Sequence, residues 1–239
     1  MTRQERFFLK ILRTLHQAGA LKELILIGSW CQYFYRIYFD NSPEIPAVRT
    51  LDLDFLVPHP GKVVRDVDIG SLLTGIGFEP QIDYPSGLQR FQHPELLVEF
   101  LVPSRGRGAD SPYEVKKLHV NAQSLRFLNL LSEHTITVKS GGIAVRIPEP
   151  AAYVLHKFIV GRRRDKEEKS RRDFSAEKEI GEFLLSRPEE RSKLKRIFDG
   201  FPEKWRKKIK ASAKTVSPKL YDFISRGAGG SPSRDPGSG

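Results

Sequence analysis

Cysteine is almost absent from this chain of 239 residues, in which Cys31 is the one thiol. A single cysteine excludes an internal disulfide and any zinc finger built on cysteine ligands. No run approaches the ~18 apolar residues that a membrane-spanning helix needs. Lys10 and Arg13 interrupt the N-terminal segment where a signal peptide would be apolar. These absences lead us to expect a cytoplasmic protein with no membrane partner.

Acidic residues are too few to balance the basic ones, and the excess is concentrated near the C-terminus. The chain has 40 Lys and Arg against 29 Asp and Glu, a net charge of +11. Residues 191–210 hold nine basic and two acidic residues, whereas residues 161–190 hold nine of each. Such a basic stretch is typical of a surface that contacts a phosphate backbone, although the solvated face of a helix has the same composition. RNA is therefore one candidate partner.

Strand and helix signals alternate in the first half of the sequence and give way to helices in the second. Hydrophobic periodicity predicts the following strands and helices. The strands are 24–28, 51–57, 78–83, 88–92, 96–102 and a hairpin over 134–147; the helices are 3–17, 30–39, 63–76, 149–163, 165–186 and shorter ones to about 225. This order predicts an α+β domain over 1–148, a helical domain over 149–225 and a disordered tail over 226–239.

Two carboxylates lie close together in the predicted strand over 51–57. Side chains two apart on a strand share a face, so Asp52 and Asp54 project together, about 7 Å apart. Paired carboxylates in an apolar run repel each other and resist desolvation, and a divalent cation removes both costs. Mg²⁺ or Mn²⁺ is the expected metal. The alternative is an edge strand whose acids face water.

Glu99 is a third acid, in the middle of the apolar strand 96–102. A carboxylate in that position is costly unless it is paired or bound to a metal. If this strand lies beside the strand that carries Asp52 and Asp54, the three acids form one site. Three carboxylates could hold two metal ions, one on a triphosphate and one at an attacking hydroxyl.

Gly28 and Ser29 follow the first apolar strand directly and precede a predicted helix. Glycine lets the backbone approach a phosphate closely, and a helix N-terminus favours anions. The pair therefore indicates a phosphate site. The alternative is that Ser29 only caps the helix.

These segments, in this order, resemble the signature of the DNA-polymerase-β-like nucleotidyltransferase superfamily. The signature joins a strand ending in Gly-Ser, an Asp-x-Asp strand and a strand with a central acid. The matching segments are Ile25-Leu26-Ile27-Gly28-Ser29, Arg49-Thr50-Leu51-Asp52-Leu53-Asp54-Phe55 and Val98-Glu99-Phe100. The Arg-Thr-x-Asp-x-Asp form is similar to minimal and toxin-type bacterial or archaeal members. The resemblance implies a nucleotidyltransferase fold, with helices flanking a mixed sheet and a helical domain following.

The resemblance also implies roles for individual residues. Asp52 and Asp54 would bind both metals, and Glu99 would bind the catalytic metal and help to deprotonate the acceptor. Gly28 and Ser29 would hold phosphates of an NTP. In the second half, the helix around Ala152-Tyr153-Val154-Leu155-His156-Lys157 is similar to one that supplies a nucleotide-contacting lysine, here Lys157.

Arg49, just before the Asp-x-Asp strand, has two open roles. It contacts a phosphate of the nucleotide, or it pairs with one of the acids. Arg171-Arg172-Asp173 occupies the place of the family's Lys-x-x-Lys-Asp segment. Because arginine replaces the second lysine of that segment, no catalytic role is carried onto Arg172.

Three functions remain open at this point. The first is transfer of an NMP from an NTP, such as ATP, to a hydroxyl on tRNA or another RNA, with release of pyrophosphate. The second is the same chemistry on a small molecule or a protein hydroxyl. The third is an inactive nucleotidyltransferase fold that binds nucleotide or RNA. A protein partner of the antitoxin kind is compatible with each.

Overall fold

The computed structural model describes residues 1–47, 50–104, 111–161 and 175–226. The chain forms two compact units, Met1–Tyr153 and Val154–Gly239. The predicted domain limits stay predictions, and the predicted tail beyond residue 226 lies outside the described residues.

Strands and helices alternate in the first unit, and the second is helical. The strands are β1 (Ile25–Ile27), β2 (Asp52–Leu56), β3 (Glu79–Asp83), β4 (Leu88–Gln92), β5 (Leu97–Pro103), β6 (Tyr113–Val115), β7 (Val120–Leu125), β8 (Thr135–Ser140) and β9 (Ile143–Pro148). The helices are α1 (Arg3–Gln17), α2 (Cys31–Tyr38), α3 (Ile69–Thr74), α4 (Leu128–Glu133), α5 (Pro150–Val160), α6 (Ser175–Ser186), α7 (Pro188–Asp199), α8 (Glu203–Val216) and α9 (Pro218–Ser225). The predicted α+β class is confirmed.

The main sheet is mixed, as the resemblance implied. Its strand order is β1-β2-β5-β4-β3, with β7 beside the second half of β5 and β6 paired to β7. The pairs β2–β5 and β5–β7 are parallel, and the others in this sheet are antiparallel. Strands β8 and β9 form a separate hairpin. Strand β2 is thus an inner strand, so its acids do not lie at a sheet edge.

One face of the central strands is apolar along its whole length. Leu53 and Phe55 of β2 and Val98 and Phe100 of β5 are buried on it. The rings of Phe55 and Phe100 stack at 5.8 Å. Because side chains alternate on a strand, Asp52, Asp54 and Glu99 share the opposite face.

The acidic face turns apolar further along the same two strands. Leu56 and Leu101 pair in register and are buried with Leu128 and Leu131 of α4. Ile25 and Ile27 of β1 complete this cluster. Helix α4 therefore covers the C-terminal half of the face, and the acids occupy the N-terminal half.

Two regions differ from the sequence prediction. The helix predicted over 63–76 is only α3, because the Asp68 side chain accepts a hydrogen bond from the Ser71 amide at 2.8 Å and starts the helix there. Between residues 113 and 133, β6, β7 and α4 were not predicted. None of the helices in the described part of the chain is both long and apolar enough to cross a membrane.

The basic stretch 191–210 forms most of α7 and α8 in the second unit. Part of its charge is neutralised within these helices. The ion pairs are Lys193–Glu190 at 2.7 Å, Lys195–Asp199 at 2.6 Å and Lys207–Glu203 at 2.7 Å. The charge that is available to a partner is therefore smaller than the sequence count indicates.

His156 of α5 is a buried titratable group in the second unit. It is 8% exposed, and its Nε2 atom has no hydrogen-bond partner among the described residues. Burial, assisted by the neighbouring charge of Lys157, lowers the pKa of His156 to about 3. The folded chain therefore holds this imidazole neutral at pH values where an unfolded chain protonates it.

We expect this histidine to make the protein acid-sensitive. Since the folded pKa lies below the ordinary value of 6.5, its stability contribution is full above pH 6.5 and is lost as the pH falls towards 3. Between pH 6.5 and 4.5 the loss amounts to about 2–3 kcal/mol. Urea unfolding at several pH values measures it. His156→Met should flatten the profile, whereas replacing the exposed His16 should not; equal slopes for all three proteins would contradict the prediction.

Candidate active site

The strand register places two of the predicted acids side by side. Asp54 of β2 is the direct partner of Glu99 in the parallel pair with β5, so both carboxylates project from one face on neighbouring strands. Both residues are half-buried, and Asp52 at the start of β2 is exposed. Leu97 is the register partner of Asp52. The structure thus brings Asp54 and Glu99 together, with Asp52 two positions further along the same face.

Arg90 of β4 belongs to the same row, and sequence reasoning missed it. It is the register partner of Glu99 on the other side of β5, and its Nε atom lies 2.5 Å from Oε1 of Glu99. The Glu99 side chain is 19% exposed and the Arg90 side chain 46%. The row therefore runs carboxylate, carboxylate, guanidinium across three neighbouring strands. The cation offsets the repulsion between the two acids.

Gly28 lies directly after β1, next to Asp54 at one end of this row. Its φ of +72° lies in the left-handed region, and a Cβ at this position would collide with the carboxylate of Asp54. Ile27, the residue before it, is the register partner of Asp54. Glycine is thus required twice here, for the backbone conformation and for the approach of the acid. The phosphate-site role of Gly28 stays a prediction.

Ser29 lies in the turn between Gly28 and α2. Its backbone carbonyl accepts a hydrogen bond from the Gln32 amide at 3.0 Å. The residue that caps α2 is Trp30, and no side chain bonds to the cap. The structure therefore gives no support to the alternative that the Ser29 side chain caps the helix. The phosphate-binding role of Ser29 stays a prediction.

The structure leaves the other predicted site residues untested. Lys157 belongs to the second unit, where its Nζ atom lies 3.2 Å from Oε1 of the buried Glu177. Its predicted contact with a nucleotide is untested. Arg49 and the segment Arg171-Arg172-Asp173 lie outside the described residues.

The donor chemistry of the acidic row fits a divalent cation, because Mg²⁺ takes carboxylate oxygens and leaves places for substrate phosphates. Asp54 and Glu99 supply such oxygens from adjacent strands. Within residues 1–47, 50–104, 111–161 and 175–226, no three His, Cys, Asp or Glu side chains are grouped as ligands of one ion. Oε1 of Glu99 is instead in contact with Arg90.

Solved structures with a similar course of the chain include two nucleotidyltransferase-related proteins. One is an antigenic nucleotidyltransferase-like protein from Paracoccidioides brasiliensis, with 12% identity, 90% coverage of each chain and a TM-score of 0.49. The other is ANT(2")-Ia in complex with adenylyl-2"-tobramycin, with 12% identity, coverage of 93% of this chain and 95% of that one, and a TM-score of 0.40. No curated protein sequence matches this chain significantly.

A family model described as nucleotidyltransferase matches residues 6–195. The match covers most of the chain, including β1, β2 and β5 with their glycine and acids. It confirms the predicted enzyme class, whose members transfer a nucleotidyl group. The chain therefore belongs to a nucleotidyltransferase family.

Proposed function

We propose that this protein transfers an NMP from an NTP to an acceptor hydroxyl, with Asp52, Asp54 and Glu99 holding the divalent metal ions. The observation that supports this most is the register pairing of Asp54 with Glu99 on inner strands. Two half-buried carboxylates at adjacent positions cost stability unless a cation compensates them. Arg90 supplies such a charge to Glu99, and a divalent cation would supply it to the whole row of acids.

The residues of the row have distinct parts in this reaction. Glu99 accepts the proton of the acceptor hydroxyl, whose oxygen then bonds to the α-phosphorus of the NTP. The bond from that phosphorus to the bridging oxygen breaks, and pyrophosphate leaves. Bound Mg²⁺ or Mn²⁺ supplies positive charge that neutralises the phosphate oxygens and lowers the pKa of the hydroxyl.

The backbone at Gly28 and Ser29, beside the acids, has a separate role in binding the phosphates of the nucleotide. The left-handed turn at Gly28 carries no side chain, so the carboxylate of Asp54 approaches the backbone that leads into α2. Ser29 offers a hydroxyl next to it, and α2 begins two residues later. We assign Gly28 and Ser29 to the β- and γ-phosphates, and Arg49 and Lys157 to further contacts with the nucleotide.

RNA is the acceptor that we favour. The surplus of basic residues over 191–210 suits a polyanion better than a small cationic acceptor. A protein hydroxyl is the competing acceptor of the same chemistry.

Labelled NTPs test the proposed function directly. Each of the four NTPs, carrying the label on the α-phosphate, is incubated with total cellular RNA and Mg²⁺ or Mn²⁺. We expect transfer of the label to RNA, and none when the label is on the γ-phosphate, because only the NMP part moves. Absence of transfer with all four NTPs and both metals, to RNA or to added protein, would contradict it.

A binding protein without transfer is the second candidate, and the Arg90–Glu99 contact is the observation that favours it. Equilibrium dialysis with labelled NTP and Mn²⁺ separates the two candidates. If Asp52→Asn/Asp54→Asn binds the NTP as tightly as the unmodified protein does, the acids are not the metal site. If metal-dependent binding is lost but no transfer occurs in the unmodified protein, the binding candidate is correct.

A further inference from the structure

A groove in the second unit combines positive charge with a half-buried aromatic ring. It has a volume of about 410 Å³. Its walls come from α7 and α9, and it is lined by Arg191, Ser192, Lys195, Arg196, Asp199 and Phe223. All except Phe223 lie on α7, where Lys195 is one turn from both Arg191 and Asp199.

The cations of this groove are not equivalent. Lys195 contacts both carboxylate oxygens of Asp199 at 2.6 Å, so its charge is already balanced. Arg191 and Arg196 are both exposed, and neither has an acidic partner among the described residues. Two guanidinium groups therefore carry the net charge of the groove.

These groups suit a chain of phosphates better than a single one. A guanidinium presents a planar fork of donors that matches phosphate oxygens. Arg196 follows Arg191 by five positions in the sequence, a rise of about 7.5 Å along the axis of α7. Two phosphates of one strand can each engage one fork at that separation.

Phe223 favours a ligand that has a planar group as well as phosphates. Its half-buried ring lies on the opposite wall, from α9. An aromatic ring beside backbone-binding cations is the arrangement that binds single strands, since an unpaired base stacks on it. An acidic peptide would satisfy the arginines but has no planar group for the ring.

We propose that this groove binds single-stranded nucleic acid, with Arg191 and Arg196 on successive phosphates and Phe223 against a base. The proposal rests on the proposed RNA acceptor. It assigns the phosphate contacts of that RNA to two arginines of the basic stretch 191–210. The test measures binding of nucleic acid rather than NMP transfer. The groove proposal and the proposed function can therefore fail separately.

The test measures the affinity of the full chain for a fluorescent 12-nucleotide uridine strand, by anisotropy, between 50 and 300 mM salt. Each phosphate contact on a single strand contributes about −0.7 to the slope of log K against log salt. Arg191→Ala/Arg196→Ala should therefore weaken binding by at least about tenfold at 100 mM salt and make the slope shallower by about 1.4. Circular dichroism confirms that each variant is folded.

Two further variants separate charge from stacking. Lys204→Ala/Lys214→Ala removes the same charge from exposed positions of α8, and we expect less than about a threefold change. Phe223→Leu keeps every charge, so the slope should stay the same while affinity falls about fivefold or more.

Three results would overturn the proposal. One is that the unmodified chain does not bind the strand, which leaves the proposed function standing if NMP transfer is still observed. Another is that the arginine and lysine double variants weaken binding equally. The last is that inorganic polyphosphate competes as well as the uridine strand and Phe223→Leu has no effect, which would make the groove a general polyanion surface.

Discussion

Asp54→Asn is expected to abolish nucleotidyl transfer while the chain stays folded. Asp54 lies at the centre of the acidic row, between Gly28 and Glu99. Asparagine keeps the size of the side chain but removes the negative charge that a divalent cation requires. Because such a cation supplies several kcal/mol of charge stabilisation, we expect the rate to fall at least about a thousandfold. Label transfer from α-labelled NTP measures it.

The stability of the same variant gives a second readout. Removing one of two neighbouring charges relieves their repulsion, so the free energy of unfolding should change by no more than about 1 kcal/mol. Asp40→Asn is the matched control. Asp40 is exposed, and its φ of +54° is one that asparagine tolerates well. Full activity of Asp54→Asn would contradict the proposed metal site.

Gly28→Ala is expected to have the second large effect, by a different route. The substitution forces alanine into the left-handed region, which costs about 1–2 kcal/mol. Its Cβ would also collide with the carboxylate of Asp54, which must then turn away from its present position. We therefore expect lower stability and a loss of transfer of at least about a hundredfold, since displacing a catalytic group by 1 Å can cost that much.

Gly87→Ala separates these two contributions. Gly87, in the turn between β3 and β4, has nearly the same φ of +73°, but a Cβ there would meet nothing within 4 Å. It should lose stability to a similar extent and keep its activity. Thermal unfolding and the transfer assay, run on both variants, give the comparison. If both variants lose activity equally, the approach of Asp54 to Gly28 has no catalytic importance.

The sequence predicted the parts of the acidic row that depend on alternation along one strand. The two-residue spacing of Asp52 and Asp54 was enough to place them on a common face, and the structure agrees. The pairing of Asp54 with Glu99 required the strands to be neighbours, which the sequence supplied only as a condition. Arg90 was missed because its place beside Glu99 depends on the register of β4 against β5. The strands 78–83 and 88–92 were predicted, but the register of β4 against β5 cannot be read from composition.

The fold prediction failed where tertiary contacts override local pattern. Strand β6 has three residues, two of them exposed, so it carries no hydrophobic alternation. Helix α4 has six residues and follows Phe127, whose φ of +70° is rare for a bulky side chain. Its Leu128 and Leu131 are held by the apolar cluster on β1, β2 and β5 rather than by helix propensity.

The sheet face that bears the acids has two halves with different roles. One half carries the proposed site, and the other packs against α4. Where Leu56 and Leu101 lie beneath α4, any polar substitution would open the core. Where Asp52, Asp54 and Glu99 lie, the side chains contribute little to packing, since the buried aromatic residues of the reverse face hold the strands. Substitutions in the half that carries the proposed site can therefore change its chemistry without disturbing the half that keeps the chain folded.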